Sequence, residues 1–323
     1  MRTARTFRRR TLAVGLAVAV AAGLTATTIG MAVAETDECP NLYLLGVPGT
    51  HYQLTPPAVP GGPPGFDPDN PGWMITQVAD HLRPERDDGR LRYEQITYPA
   101  DVGIAVSYRE STRLGKEATL RRIAEIAQRC GDTRFALIGY SQGAAIAGDA
   151  LHDIDTGHGP VPASRVVRGG LLSDPRRTAE DHLVGPPVPG VGVDDPRPGG
   201  FGELADRVDT FCGRGDVVCD NDPDATLLRP LVRHFADTAN VSFVQYVLEV
   251  LAANGVDIDK WAKYLDEPNP QNLPVRVAVT AQRVDEYNRM GHHHVYNDLR
   301  LDIDGRTATQ VLADTIRGDL NGS

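Results

Sequence analysis

Phe135-Ala136-Leu137-Ile138-Gly139-Tyr140-Ser141-Gln142-Gly143-Ala144-Ala145-Ile146-Ala147-Gly148 is the stretch that decides the fold. Residues 135–138 are a short apolar run of the kind a buried parallel strand makes. Residues 144–148 are small enough for a helix to lie close against a sheet. A G-x-S-x-G sequence between such a strand and such a helix reads as a nucleophile elbow. The glycines are needed because the turn is tight, so that a Cβ at either position collides with a neighbouring strand or helix. Ser141 then stands at a helix N-terminus, where backbone N–H groups face developing negative charge. The competing reading is a glycine-rich strand-to-helix turn with an idle serine.

Outward from this stretch, strands and helices alternate. Apolar runs predict strands at 42–47, 93–98, 166–172 and 208–212, the first ending in Pro48-Gly49-Thr50. A helix is expected over 74–82. Another is expected over 111–129, where Leu114, Ala118, Leu120, Ile123, Ile126 and Ala127 keep a helical period. Residues 307–316, with Ala308, Val311, Leu312 and Ile316 on one face, predict a final amphipathic helix. Two Pro/Gly-rich loops, 55–72 and 186–202, interrupt the pattern. Strictly alternating elements of this kind imply a parallel sheet covered on both faces. Residues 221–272 break the rhythm with three helical patterns in succession, 227–239, 241–253 and 257–265, and read as a helical insertion.

Residues 1–34 stand apart. Arg2, Arg5, Arg8, Arg9 and Arg10 form a basic start, residues 11–33 are mostly apolar and small, and Ala32-Val33-Ala34 is a cleavage signal before Glu35. This is the pattern of a secretory signal peptide, leaving residues 35–323 as the mature domain. Arg8-Arg9-Arg10-Thr11-Leu12 is a loose twin-arginine pattern that leaves the Tat route open. The long apolar stretch leaves an uncleaved anchor as the alternative. Cleavage removes five arginines and no acids, taking the formal charge from −10 to −15. A surface that acidic repels phosphate backbones, so nucleic acid is not an expected partner. Cys39, Cys130, Cys212 and Cys219 all fall in the exported part, where two disulfides are the natural reading. Of the three pairings, the one that closes the short loop joins Cys212 to Cys219 and leaves Cys39 with Cys130. A zinc site is the competitor, but no C-x-x-C spacing supports it.

A serine needs a base, and the base an orienting acid. Asp216, in Cys212-Gly213-Arg214-Gly215-Asp216-Val217-Val218-Cys219, follows the 208–212 strand in a loop that a disulfide would clamp. Asp174, after the 166–172 strand, is the rival acid. For the base, the run His292-His293-His294 sits on a loop before the final helix, whereas His234 falls inside a helical pattern. A metal bound by the three histidines has no acidic or cysteine ligand at a defined spacing to support it.

With these motifs in order, the chain resembles the cutinase-like branch of the α/β-hydrolases, in particular its secreted actinobacterial members. Arg129-Cys130 followed by Gly139-Tyr140-Ser141-Gln142-Gly143-Ala144-Ala145 is similar to that family's cysteine-then-GYSQGA block. The Cys212–Cys219 loop, C-x-x-G-D-x-x-C, resembles the disulfide loop in which the aspartate is the triad acid. His293-His294-Val295-Tyr296, then Asp304-Gly305-Arg306 and a helix, matches its terminal motif, a histidine three residues before a tyrosine, and singles out His293. Ser173-Asp174-Pro175-Arg176-Arg177 and residues 197–202 also look like segments of the bacterial members. The resemblance implies a three-layer α/β-hydrolase with a central parallel sheet and a Ser141–Asp216–His293 triad. It also implies an oxyanion hole at the N–H groups of Thr50 and Gln142, with the Thr50 hydroxyl as an added donor. No metal or organic cofactor is implied.

The departure is the segment 221–285, which stands between acid and base where compact members have about a dozen residues. Its apolar residues Phe243, Val244, Tyr246, Val247, Leu248, Val250 and Leu251 suit a lid, or a wall of a lipid groove, as well as plain packing on the domain. The expected function is a secreted serine esterase or lipase working as a monomer on an ester or lipid substrate, with the cell envelope as a place of association. Acyl transfer onto envelope lipids or sugars, and non-catalytic envelope binding by the same fold, are the alternatives.

Overall fold

All six residues of Leu42–Val47 are buried, as are all but the first of Arg134–Tyr140 and all four of Val208–Phe211. Apolar runs of this kind form strands covered on both faces. The computed structural model describes residues 39–50, 74–103, 105–238, 269–298, 301 and 303–322. In it, β1 (Leu42–Val47), β2 (Leu91–Gln95), β3 (Arg134–Tyr140), β4 (Val166–Leu172) and β5 (Val208–Phe211) form one sheet in the order β2-β1-β3-β4-β5. Every neighbouring pair is parallel.

Side chains alternate along each strand and so feed two cores. On one face Leu42, Leu44, Ala136 and Ile138 pack against α1 (Met74–His81) and the last helix, α7 (Ala308–Asn321). On the other, Tyr43, Leu45, Phe135 and Leu137 pack against α3 (Tyr108–Arg129) and α4 (Gln142–Asp155). A short α2 (Arg83–Asp87) leads into β2. The result is the three-layer α/β arrangement with a central parallel sheet that the sequence implies. Because β1 pairs with β2 on one side and β3 on the other, the winding reverses between β1 and β3. A crevice opens at the carboxyl ends of strands at such a switch point. Thr50 follows β1 there, and Ser141 follows β3.

Some elements differ from the sequence reading. The second strand is 91–95, not 93–98. Ile96 and Tyr98 are buried beyond its end, so burial there belongs to a loop. Helix α3 starts three residues earlier than expected because Ser107 caps it, accepting the Glu110 N–H at 3.2 Å. Helix α7 opens on a Thr307–Gln310 capping box and runs past 316, burying Leu320. The sequence reading contains no counterpart of α6 (Leu273–Met290), which lies beyond the expected end of the insertion at 272. The first helix of the insertion is α5 (Leu228–Phe235). The signal peptide, the 55–72 loop, and the helices expected at 241–253 and 257–265 with Phe243 to Leu251 lie outside the described residues. No helix among the described residues is long and apolar enough to cross a membrane.

Candidate active site

The turn after β3 is built as its glycines require. A Cβ on Gly139 would stand 2.2 Å from the Gly143 carbonyl oxygen, and one on Gly143 would stand 2.1 Å from that of Val47. With both clear, β3 passes directly into α4. Ser141 is held at φ 56°, ψ −122°, a conformation an L residue adopts only under constraint. Its own N–H is anchored on the Leu172 carbonyl of β4 at 2.9 Å.

Three segments meet at the Ser141 side chain. His293 Nε2 lies 2.9 Å from Ser141 Oγ. On the far side of the ring, His293 Nδ1 lies 3.0 Å from Asp216 Oδ2 and 3.1 Å from Oδ1. A carboxylate only accepts, so Nδ1 carries the proton and Nε2 presents a lone pair to the serine hydroxyl. Asp216 is fully buried in a loop closed by the Cys212–Cys219 disulfide, and Cys39–Cys130 is the second bridge. His293 arrives on a short 3₁₀ turn, His292–His294, after Gly291 ends α6 in the left-handed region at φ 61°. Its neighbours take other places. The His294 Nδ1 is 3.2 Å from the Tyr140 hydroxyl, and the His292 ring occupies the space where a Cβ on Gly215 would stand. His234 is exposed on α5, edge-on to Phe235.

Burial pushes the Asp216 carboxyl upward. The charge and N–H of His293, with hydroxyl donors from Ser173 and Tyr296, outweigh that and hold it below its usual value. The two hydroxyls each donate to Oδ2 at 2.6 Å, and the Val218 N–H donates to Oδ1 at 3.1 Å. Burial and then the facing carboxylate push the Tyr296 hydroxyl well above its ordinary range, so it stays a donor. Neither hydroxyl was assigned a role from the sequence. Tyr296 was visible as part of the terminal motif, but a serine just past a strand gives no signal of its own. Asp174, the rival acid, is also fully buried, yet its charge is committed elsewhere. Arg197 donates to its two oxygens at 2.6 and 3.2 Å and to Asp149 at 2.9 Å.

Beside Ser141 a cleft encloses roughly 740 Å³ of empty volume, mouth included. Thr50 and Gln142 line it next to the serine. Its walls are apolar: Val102, Pro175, Val193 and Val218 from the domain, and Val232, Phe235 and Ala236 from α5 and its C-cap. The first helix of the inserted segment is therefore a wall of the cleft. It meets the domain through Arg233 on Asp195 at 2.6 Å, an exposed pair, and through the Arg109 N–H on the Ala236 carbonyl at 2.9 Å. Gln142 is the first residue of α4, so its N–H has no acceptor within the helix. Its side chain is tied down, donating to the Asp101 carbonyl at 2.9 Å and accepting from the Thr50 hydroxyl at 3.3 Å. The Thr50 hydroxyl, expected as an added donor, points its hydrogen at the Gln142 side chain in this structure.

Comparison with known proteins gives the family and the fold. The chain is 28% identical over 212 residues to a Corynebacterium glutamicum protein named carboxylesterase Culp6 homolog, covering 58% of this chain and 67% of that protein. It is 34% identical over 153 residues to an acetylxylan esterase of Hypocrea jecorina, covering 41% of this chain and only 49% of that relative. The crystal structure of lysin B from Mycobacteriophage D29 shares the fold, with a TM-score of 0.50 and 17% identity, over 87% of this chain and all of that one. The cutinase family model matches residues 67–249, more than half of the sequence, and the chain belongs to the cutinase family.

Proposed function

We propose that this protein is an exported carboxylic ester hydrolase in which Ser141, His293 and Asp216 act as nucleophile, base and orienting acid. The observation that carries the reading is the unbroken hydrogen-bonded line from Ser141 Oγ through both nitrogens of His293 to Asp216, at the mouth of an apolar cleft. Ser141 Oγ attacks the ester carbonyl while His293 Nε2 takes its proton. Asp216 stabilises the imidazolium that forms. The oxyanion is received by the N–H groups of Gln142 and Thr50, and removal of one such donor typically costs about 3–4 kcal/mol. The imidazolium then protonates the departing alcohol, and water activated by the same nitrogen releases the acid. The apolar walls suit an aliphatic acyl chain better than a polar one. Two disulfides, in a family with secreted members, support an oxidising location outside the cytoplasm.

The test is hydrolysis of p-nitrophenyl esters from acetate to palmitate by the purified protein, beside a folded Ser141→Ala variant. Turnover that vanishes in the variant supports the reading. Turnover that survives it removes Ser141 from the chemistry. Folded protein that releases p-nitrophenol only when an alcohol or sugar acceptor is present turns the assignment to acyl transfer.

A further inference from the structure

The serine after β4 repeats the construction of the serine after β3. Ser141 and Ser173 both follow the last residue of a parallel strand, and both have φ 56°. Each sends its N–H to the next strand: Ser141 to the Leu172 carbonyl, Ser173 to the Phe211 carbonyl, both at 2.9 Å. A non-glycine residue in the left-handed region is under strain that a glycine would relieve, so the side chain at 173 stays where the backbone would prefer none. That side chain is fully buried and reaches the acid–base pair. Its hydroxyl donates to Asp216 Oδ2 at 2.6 Å, and its oxygen lies 3.1 Å from His293 Nδ1. The imidazole N–H therefore has three oxygens within 3.1 Å, the two of the carboxylate and the one of the serine.

We infer that Ser173 is a positioning residue for His293. It pins one oxygen of Asp216 and offers its own lone pair to the Nδ1 proton, so that the ring plane stays aligned with Ser141 as the charge on the imidazole comes and goes. The inference rests on the triad reading above. Tyr296 does a different job. It donates to the same Oδ2 but also receives the Gly213 N–H at 3.2 Å, tying the Asp216 loop to the histidine segment.

Ser173→Gly separates this role from a merely structural one, because glycine removes the hydroxyl and the backbone strain together. Thermal melting of Ser173→Gly is expected above that of Ser173→Ala, which loses the same hydroxyl without relief of strain, while kcat falls about 10- to 100-fold, the worth of a hydrogen bond to a charged group. KM is expected to stay within about twofold. Ser173→Ala, which keeps the strain, should lose the same kcat. Parental kcat in the glycine variant overturns the inference, even if the alanine variant is impaired. A second readout does not depend on turnover: the downfield proton resonance of the His293 Nδ1–H, identified by its loss in His293→Gln. It should move in both Ser173 variants, and an unmoved resonance overturns the inference. An active Ser141→Ala variant would sink the triad reading instead, and would leave the resonance to report on Ser173 alone.

Discussion

Asp216 and Asp174 are both fully buried carboxylates that follow strands of one sheet, yet they differ in what surrounds them. Asp216 is held by neutral hydroxyls and the imidazole, which leaves its charge available to a developing imidazolium. Asp174 is held by a guanidinium whose side chain is only 4% exposed, so its charge is already neutralised. Asp216→Asn is accordingly expected to lower kcat by roughly 10³- to 10⁴-fold with the protein still folded. Asp174→Asn leaves the buried Arg197 with Asp149 as its one remaining carboxylate partner among the described residues, so the cost in stability is expected to approach the lower end of the roughly 3–5 kcal/mol of a broken buried pair. Its remaining folded fraction should turn over within a few-fold of the parent. Melting curves and kcat for the two variants check this, and an inactive but fully stable Asp174→Asn would reverse the assignment. Because the Asp216 pKa is lowered on folding, its contribution is present above its unfolded value of about 3.9 and is lost as pH falls below that value. Asp216→Asn should therefore show a shallower loss of stability between about pH 4 and 2 than the parent, measured by denaturant unfolding across that range.

Helix α5 is where the inserted segment meets the chemistry. Phe235 and Val232 stand in the cleft wall, and each methylene of an acyl chain that loses apolar contact forfeits about 0.8 kcal/mol, or roughly fourfold in kcat/KM. Phe235→Ala is expected to flatten the dependence of kcat/KM on chain length for the methylenes that reach that wall, with acetate turnover nearly unchanged. An unaltered profile from acetate to palmitate would place the chain elsewhere. That α5 would be a wall was open in the sequence, because a helix that packs and a helix that lines a groove bury the same apolar face. The strands were plain for the opposite reason: β1, and β3 after Arg134, are runs of apolar and small residues with Tyr the most polar member, a pattern that burial on both faces explains. Edge strand β2, Leu-Arg-Tyr-Glu-Gln, shows its alternation over too few residues, and Ile96 and Tyr98 beyond it drew the prediction forward. Helix α6 was illegible because Val275-Arg276-Val277-Ala278-Val279 alternates like a strand and only Leu273 and Thr280 are buried. It is anchored by polar groups instead, the Thr280 hydroxyl accepting the Leu227 N–H at 2.8 Å and Arg283 donating to the Asp220 carbonyl at 3.3 Å. Ser173 was hidden by convergence, since its partners lie 43 and 120 residues away in the chain.

Across the whole molecule the two disulfides sit at opposite ends of the sheet and do different work. Cys39 precedes β1 and Cys130 follows α3, so that bridge closes the amino-terminal end of the strands, away from the site. Cys212 follows β5, and its bridge to Cys219 encloses Asp216 at the carboxyl end, with Cys219 Sγ against the Tyr296 hydroxyl at 3.4 Å. Loop entropy favours the long bridge as the stabiliser: a separation of 91 residues is worth about 4–5 kcal/mol, one of 7 about 2–3 kcal/mol. The short bridge instead fixes the carboxylate that the imidazole needs, and geometry lost there is lost in kcat. Replacing Cys39 and Cys130 by serine should therefore lower the melting temperature more than the same change at Cys212 and Cys219, yet leave kcat of the folded protein nearly intact. The Cys212/Cys219 pair should show the reverse, a smaller drop in melting temperature and a kcat reduced by tenfold or more. Melting curves and active-site-titrated kcat for both double variants decide it. A kcat of the Cys212/Cys219 variant close to that of the parent would mean that the Asp216 loop holds its shape without the bridge, and that Tyr296 and Ser173 suffice to fix the acid.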